Sequence, residues 1–233
     1  MALCFRKKRT HKTGSYFLIS YFCIIIILAN INIAFNYLSE INITVNGTGR
    51  QQILSSFSGT CSGIGGSFNW LPNETLVNGV PQNSNDKYVD NLVNQTNIKT
   101  MRWNYQVTTC LNMFRNLYNI TIIDLSNFDT SNVEIFNCMF TYCTSLKSIN
   151  VNNVNTSSAK NKQAMFSGCS GLETLNLSSF DTSKVTTMQQ MFYVCTSLKS
   201  LDLSNFETPE LKDTNYMFQS CSSLVLGNNN LSY

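Results

Sequence analysis

Histidine is nearly missing from this chain: its 233 residues hold one, His11. A Ser-His or Cys-His nucleophile pair, or a His-bearing zinc site, therefore has nothing to build on beyond residue 11. Charge is scarce as well, since 12% of residues are Asp, Glu, Lys or Arg, about half of the usual ~25%. No acid precedes Glu40. Residues 1–13 carry Arg6, Lys7, Lys8, Arg9 and Lys12, whereas the remainder carries 11 Lys and Arg against 13 Asp and Glu. The formal charge of +3 is thus a basic tail on a body of −2. That body lacks the basic stripe of a nucleic-acid-binding domain, so no nucleic-acid partner is expected. Hydrophobic residues make up 43%, enough for a core and against global disorder. Amides and hydroxyls fill the place of charge: 31 Asn, 27 Ser and 22 Thr.

Tyr16–Phe35 has no charged residue and is 20 residues long, about 30 Å as a helix, the thickness of a bilayer's hydrocarbon core. Its strictly apolar part, Tyr16–Ala29 interrupted by Ser20, is short enough for a cleaved signal. Cleavage wants a small residue three before the cut. A cut after Ala29 finds Ile27 there, and a cut after Ala34 finds Asn32. An uncleaved signal-anchor over 15–35 fits better. Five basic residues before it and none just after place residues 1–14 in the cytosol and 36–233 outside. The expected localisation is single-pass membrane, the alternative secretion after cleavage.

The dipeptide Met-Phe recurs at 113, 139, 165, 191 and 217, always 26 residues apart. Whole columns follow it. Four residues after each Met stand Leu117, Cys143, Cys169, Cys195 and Cys221; seven after, Ile120, Leu146, Leu172, Leu198 and Leu224. Further columns hold Ile123, Ile149, Leu175 and Leu201, then Leu125, Val151, Leu177 and Leu203, then Phe128, Val154, Phe180 and Phe206. A Thr column (Thr130, Thr156, Thr182 and Thr208) closes the pattern. Units that cannot bury their own apolar side chains gain a continuous core by stacking. The offsets spell L-x-x-L-x-L, with strand-like alternation at its end. Val185, Met188, Met191 and Phe192 share one face at helical spacing, with Thr182 as the N-cap. Thr208-Pro209-Glu210 is a second helix-start signal.

MFSGCSGLETLNLSSFDTSKVTTMQQ and MFYVCTSLKSLDLSNFETPELKDTNY resemble the BspA-like leucine-rich repeat of surface proteins, over about residues 113–226. The first unit departs from it, with Leu117 for Cys, and the second with NTSSAKNK where the helix start belongs. The resemblance implies an extracellular interaction domain and no catalysis. The expected fold class is α/β: a leucine-rich-repeat solenoid with a short parallel sheet over 113–233, four full units and one partial. It would follow a β-rich cap region over 36–112 and the transmembrane helix over 15–35.

In the region before the repeats, Ile41, Ile43 and Val45 alternate up to Asn46-Gly47. Weaker strands are expected at Thr75–Asn78 and from Ile98 to Val107, and Ser55–Phe68 reads as loop. Of the nine cysteines, Cys143, Cys169, Cys195 and Cys221 form a ladder better suited to small buried thiols than to disulfides. Cys61 with Cys110 is the disulfide candidate. Asp129, Asp181 and Glu207 share a column just before the Thr caps, where a helix dipole favours acids; a carboxylate pair for glycoside cleavage is the minor alternative.

The outward strand positions make the candidate ligand-binding face: Ser148, Asn150 and Asn152; Thr174, Asn176 and Ser178; Ser200, Asp202 and Ser204. These are small hydrogen-bonding side chains without the aromatic or Arg anchors of tight interfaces. They read as a solvated sheet surface or as a weak site made useful by multivalent display. The function expected is non-catalytic binding or adhesion to an extracellular protein or glycan, with no cofactor or metal. The alternative is a self-associating coat component.

Overall fold

The computed structural model of the protein describes residues 37–57, 59–61, 64–66, 68–82, 87–92 and 96–225. They belong to one compact unit that starts at Tyr37. Twelve strands run along it: β1 (Ser39–Asn46), β2 (Gly49–Gln52), β3 (Thr60–Cys61), β4 (Ile64–Gly65), β5 (Glu74–Val77), β6 (Val80–Pro81), β7 (Tyr88–Leu92), β8 (Thr96–Trp103), β9 (Ile120–Asn127), β10 (Ser148–Asn150), β11 (Thr174–Leu175) and β12 (Ser200–Leu201). The largest sheet has the order β10-β9-β1-β8-β5-β6. β1 lies at its centre, antiparallel to β8 on one side and to β9, from the first repeat unit, on the other. β9 also pairs in parallel with β10, so one sheet joins the pre-repeat region to the repeats.

Period-two alternation builds this sheet. Ile41, Ile43 and Val45 of β1 and Met101 and Trp103 of β8 are fully or almost fully buried on one face. Their even-numbered neighbours face outward. The Trp103 indole N–H donates to the Trp70 carbonyl (3.0 Å), and its ring meets Phe128 edge-on at 5.5 Å. That contact fuses the sheet's interior with the interior of the repeats.

The repeats hold together in another way. Cys110, Phe136, Lys162 and Met188 donate their N–H groups to the carbonyls of Ile135, Asn161, Thr187 and Asp213, each on the following unit (2.9–3.2 Å). Three more series run beside this one. They start at Asn112, Phe114 and Asn116 and end on the carbonyls of Asn215, Met217 and Gln219. Between them, every second peptide of the Met-Phe segment points its N–H at the next unit. Phe114, Phe140, Phe166, Phe192 and Phe218 stack along the same axis, with centroids 5.3–5.8 Å apart and planes within 12° of parallel.

Two expectations are corrected. The α/β leucine-rich-repeat solenoid does not hold: the described chain is all strand and turn, without helix, and its main sheet is the mixed six-stranded one. Parallel strand pairs are confined to β9–β10 and β11–β12. The segment expected as a helix after Thr182 is a chain of tight turns. Val185 donates to Thr182, Met191 to Met188 and Tyr193 to Gln190, while Met188, Gln190, Phe192 and Val194 donate to the next unit. An α-helix needs every amide within its own segment; here every second amide leaves it. Two left-handed residues per unit turn those peptides outward. They are Asn112, Cys138, Ala164, Gln190 and Tyr216 just before each Met, and Asn116, Tyr142, Gly168, Val194 and Ser220 three after it, all with φ between +50° and +71°. Gly168, Asn112 and Asn116 are residue types that favour this conformation; the other seven are not distinctive for it. The missing Cβ of Gly168 also makes room for the Tyr142 ring of the preceding unit.

The single-pass membrane localisation is corrected too. Among the described residues no helix is long and apolar enough to cross a membrane, because the apolar residues lie in strands of at most eight residues and in turns. The segment 15–35, read as a signal-anchor, and the basic tail 1–14 lie outside the described residues.

Candidate functional site

The outward faces of the strands form the candidate site. Ser148 and Asn150 lie on β10, Thr174 on β11 and Ser200 on β12, where Thr174 and Ser200 stand opposite each other. Asn152, Asn176, Ser178, Asp202 and Ser204 follow the strand ends. All nine expected residues are solvent-exposed except Asn150, which is half-buried.

Part of this polar row has a structural task. Oδ1 of Asn150 accepts the N–H of Asn152, Asn176 that of Ser178, and Asp202 that of Ser204, at 2.9–3.2 Å. These are side-chain turns that end each strand. The same bond holds the Asp202 carboxyl below its ordinary range. Asp124 on β9 does the same for Ser126 (2.9 Å). Among the described residues the Nδ2 groups of Asn150 and Asn176 have no hydrogen-bond partner.

The face extends past the expected residues onto the six-stranded sheet. Register places Ile98, Thr44, Ile122 and Ser148 in one row across four strands. Leu76, Thr100, Asn42, Asp124 and Asn150 form the next row. Ile98 and Ile122 are 55% and 45% exposed, an apolar pair on a polar face. In a third row Arg102 stands between Glu40 and Glu74: its Nε donates to Glu40 at 2.7 Å and its Nη1 to Glu74 at 2.8 Å. The Glu40 carboxylate raises the guanidinium's pKa further. The Arg102 side chain keeps 31% of its surface open, a rigid planar donor on the rim of the face.

Sequence reasoning missed Ile98, Ile122 and Arg102. The parity of Met101 and Trp103 carries the signal, since inward odd positions put 98, 100 and 102 outside. Lys99 breaks that reading because it points inward and is fully buried.

The ladder thiols and the Asp181 carboxylate of the repeats have local partners. Each ladder thiol donates to a carbonyl of the preceding unit: Cys143 to Phe114, Cys169 to Phe140, Cys195 to Phe166 and Cys221 to Phe192, at 2.9–3.1 Å. Leu117 heads the column because the first unit follows no repeat whose Phe carbonyl it could reach. Burial pushes the Cys143 and Cys195 thiols up to about 12, far from the reactive thiolate. Cys61 is joined to Cys138, with Cα atoms 6.4 Å apart, and not to Cys110. Cys110 sits in the core column of Phe136, Lys162 and Met188, whereas the left-handed Cys138 lies in a side cluster with Cys61, Leu111 and Ala164. Asp181 accepts both the hydroxyl and the N–H of Ser183, and those bonds hold its carboxyl below the usual range. It forms a side-chain turn. Among the described residues no group of three His, Cys, Asp or Glu could hold a metal ion.

No curated protein and no solved structure matches the chain significantly. A family model described as "Mycoplasma protein of unknown function, DUF285" matches residues 108–232, more than half of the chain. The stacked Met-Phe units and β9 to β12 lie inside that match, β1, β5 and β8 precede it, and the chain belongs to the DUF285 family.

Proposed function

We propose that the chain is a non-catalytic binding module whose outer sheet face engages a protein partner. One observation carries the reading: a polar face continuous from β5 to β10 in which Ile98 and Ile122 stand exposed beside a fixed Arg102. Exposed apolar groups with an Arg at the rim are the residue types that carry interface energy. The small polar columns from Ser148 to Ser204 extend the face with hydrogen-bonding side chains that suit a backbone or a glycan. The Cys61–Cys138 disulfide fits a protein used in an oxidising compartment. The sequence resemblance of the units to BspA-like repeats, a family of surface proteins, is in keeping with the same reading.

The test immobilises the full chain and measures saturable binding from cell-surface extracts before and after enzymatic removal of glycans. Ile98→Asp and Ile122→Asp should each weaken binding about tenfold or more, with thermal unfolding unchanged. Sensitivity to glycan removal with indifference to both substitutions would move the site to the Asn176 columns. Equal binding by all variants would end the proposal, and self-association without capture would favour a coat component.

A further inference from the structure

We propose that the pocket around Arg115 binds a sugar acid, a hydroxylated ring that carries one carboxylate. Arg115 is a cation without an acid. Among the described residues it makes no ion pair, whereas Arg102, Lys160 and Lys199 each do. Its guanidinium carbon lies 3.9 Å from the centre of the Phe57 ring. That ring packs so closely on Gly59 that a Cβ there would meet Phe57 Cζ at 2.6 Å, which fixes the surface carrying the guanidinium. Nη1 donates to Asn112 Oδ1 at 3.3 Å, and Asn112 is itself oriented by donating Nδ2 to the Gly66 carbonyl at 3.1 Å. Nε is buried with no acceptor, while Nη2 has no partner among the described residues and stays open to solvent. Burial lowers the guanidinium's pKa, yet an arginine keeps its charge at any physiological pH. The result is a positioned, poorly solvated cation whose two Nη atoms can give a carboxylate parallel hydrogen bonds.

The surroundings say what the carboxylate is attached to. Arg115 and Phe57 line a cavity of about 280 Å³, with Gln52, Ser56, Asn116 and Tyr118 on its wall. Gln52 Nε2 donates to the Leu54 carbonyl at 2.8 Å and to Ser56 Oγ at 3.2 Å. Gln52 Oε1 is thereby left as an acceptor, and the Ser56 hydroxyl keeps its proton to donate. The Asn116 amide and the Tyr118 hydroxyl have no hydrogen-bond partner among the described residues. Neutral donors and acceptors of this kind match ring hydroxyls, and the apolar C–H face of a sugar can rest on the Tyr118 ring, which is 54% exposed. The volume lies just under the usual ligand-pocket range of about 300–1,000 Å³, room for one sugar ring.

Charge narrows the choice further. Arg115 also borders a second cavity of about 110 Å³, beside Thr60, Tyr142 and Tyr193. Neither cavity is lined by an Asp, a Glu or a second cation. A planar monoanion therefore matches the site, whereas a phosphate group with a charge of about −1.5 to −2 would remain partly uncompensated. This pocket shares no residue with the outer sheet face, and its failure would leave that reading standing.

The test titrates glucuronate into the full chain and follows binding by ligand-observed NMR, with glucose, acetate and glucose 6-phosphate alongside. We expect saturable one-to-one binding of glucuronate with a Kd at or below about 1 mM, and binding at least about tenfold weaker for the other three. Arg115→Gln should weaken glucuronate about tenfold or more. Arg115→Lys keeps the charge without the planar fork and should restore binding only in part. Tyr118→Ala should weaken it about threefold to tenfold, and its exposed position lets it carry the test should Arg115→Gln fail to fold. Ile98→Asp and Asn176→Ala, on the sheet face, should leave it unchanged. Three outcomes would overturn the proposal: no saturation by about 10 mM glucuronate, any of the other three probes binding as tightly, or folded Arg115→Gln and Tyr118→Ala chains that bind like the parent.

Discussion

The region before the repeats and the repeats themselves share one hydrophobic core but reach it by different routes. In the first, side chains alternate across strands, and neighbouring strands satisfy the amides. In the second, alternate amides bond to the next unit, and the rest close local four-residue turns. Each region also buries a lysine. Lys99 on β8 has no hydrogen-bond partner at Nζ, and burial lowers its pKa to about 8. Lys162 donates to the Asp181 carbonyl at 2.9 Å and lies 5.5 Å from the centre of the Phe180 ring, yet burial lowers it further, to about 7. The comparison teaches that a carbonyl and a ring do not replace lost hydration for a charge set in a core column.

Four predictions break or sharpen that comparison. Phe166→Ala removes the ring between Phe140 and Phe192 and should cost about 3–5 kcal/mol in urea unfolding. Trp103→Ala, its counterpart in the sheet region, should cost a similar amount; a much smaller loss for Phe166 would mean that the ring stack is loosely coupled to folding. Next, replacing Cys61 and Cys138 together by Ala opens a link between residues 77 apart in sequence and joining the two regions. It should cost about 3–4 kcal/mol, and calorimetry would show whether the single transition splits.

Third is Lys162→Met, which matches the Met188 position of its own column. The folded pKa of about 7 lies below the unfolded 10.5, so the unfolded chain binds more protons between those values and stability rises with pH across that window. Burial of Lys162 therefore costs most below pH 7 and nothing above about 10.5. The Met variant should be more stable by on the order of 3 kcal/mol near neutral pH, and the gain should vanish toward pH 10.5. A gain that persists at high pH would assign it to packing. Lys99 acts with the same sign from about 8 upward. The smallest effect is Cys169→Val, which deletes the thiol's bond to the Phe140 carbonyl. It should cost about 1 kcal/mol, since Cys143 N–H still serves that carbonyl at 3.0 Å.

Much of this was legible in the residues. The 26-residue spacing of Met-Phe places Phe114 to Phe218 in one file, and the alternation of Ile41, Ile43 and Val45 marks the inner face of β1. The Asn, Ser and Thr excess also finds its use. Asn150, Asn155, Asn161 and their counterparts accept the N–H two residues on, so each unit carries several side-chain turns. The helix expected after Thr182 was not decidable locally, because the left-handed positions hold Cys, Ala, Gln, Tyr and Val as readily as Gly. Such residues cost about 1–2 kcal/mol each in that conformation, and only bonds to a neighbouring unit offset that. The disulfide was hidden for the same reason. Cys110 and Cys138 look alike in sequence, and the left-handed turn alone sets Cys138 beside Cys61.

The sequence by itself determined the period and the buried columns, because side-chain chemistry at fixed spacing depends on no partner. Tertiary structure alone decided where the amides go. A backbone N–H is satisfied equally by its own turn or by the next unit, and stacking tips that balance. It decided as well that Ile98, Ile122 and Arg102 share a face with Ser148, since only the pairing of β1 with both β8 and β9 brings those rows together.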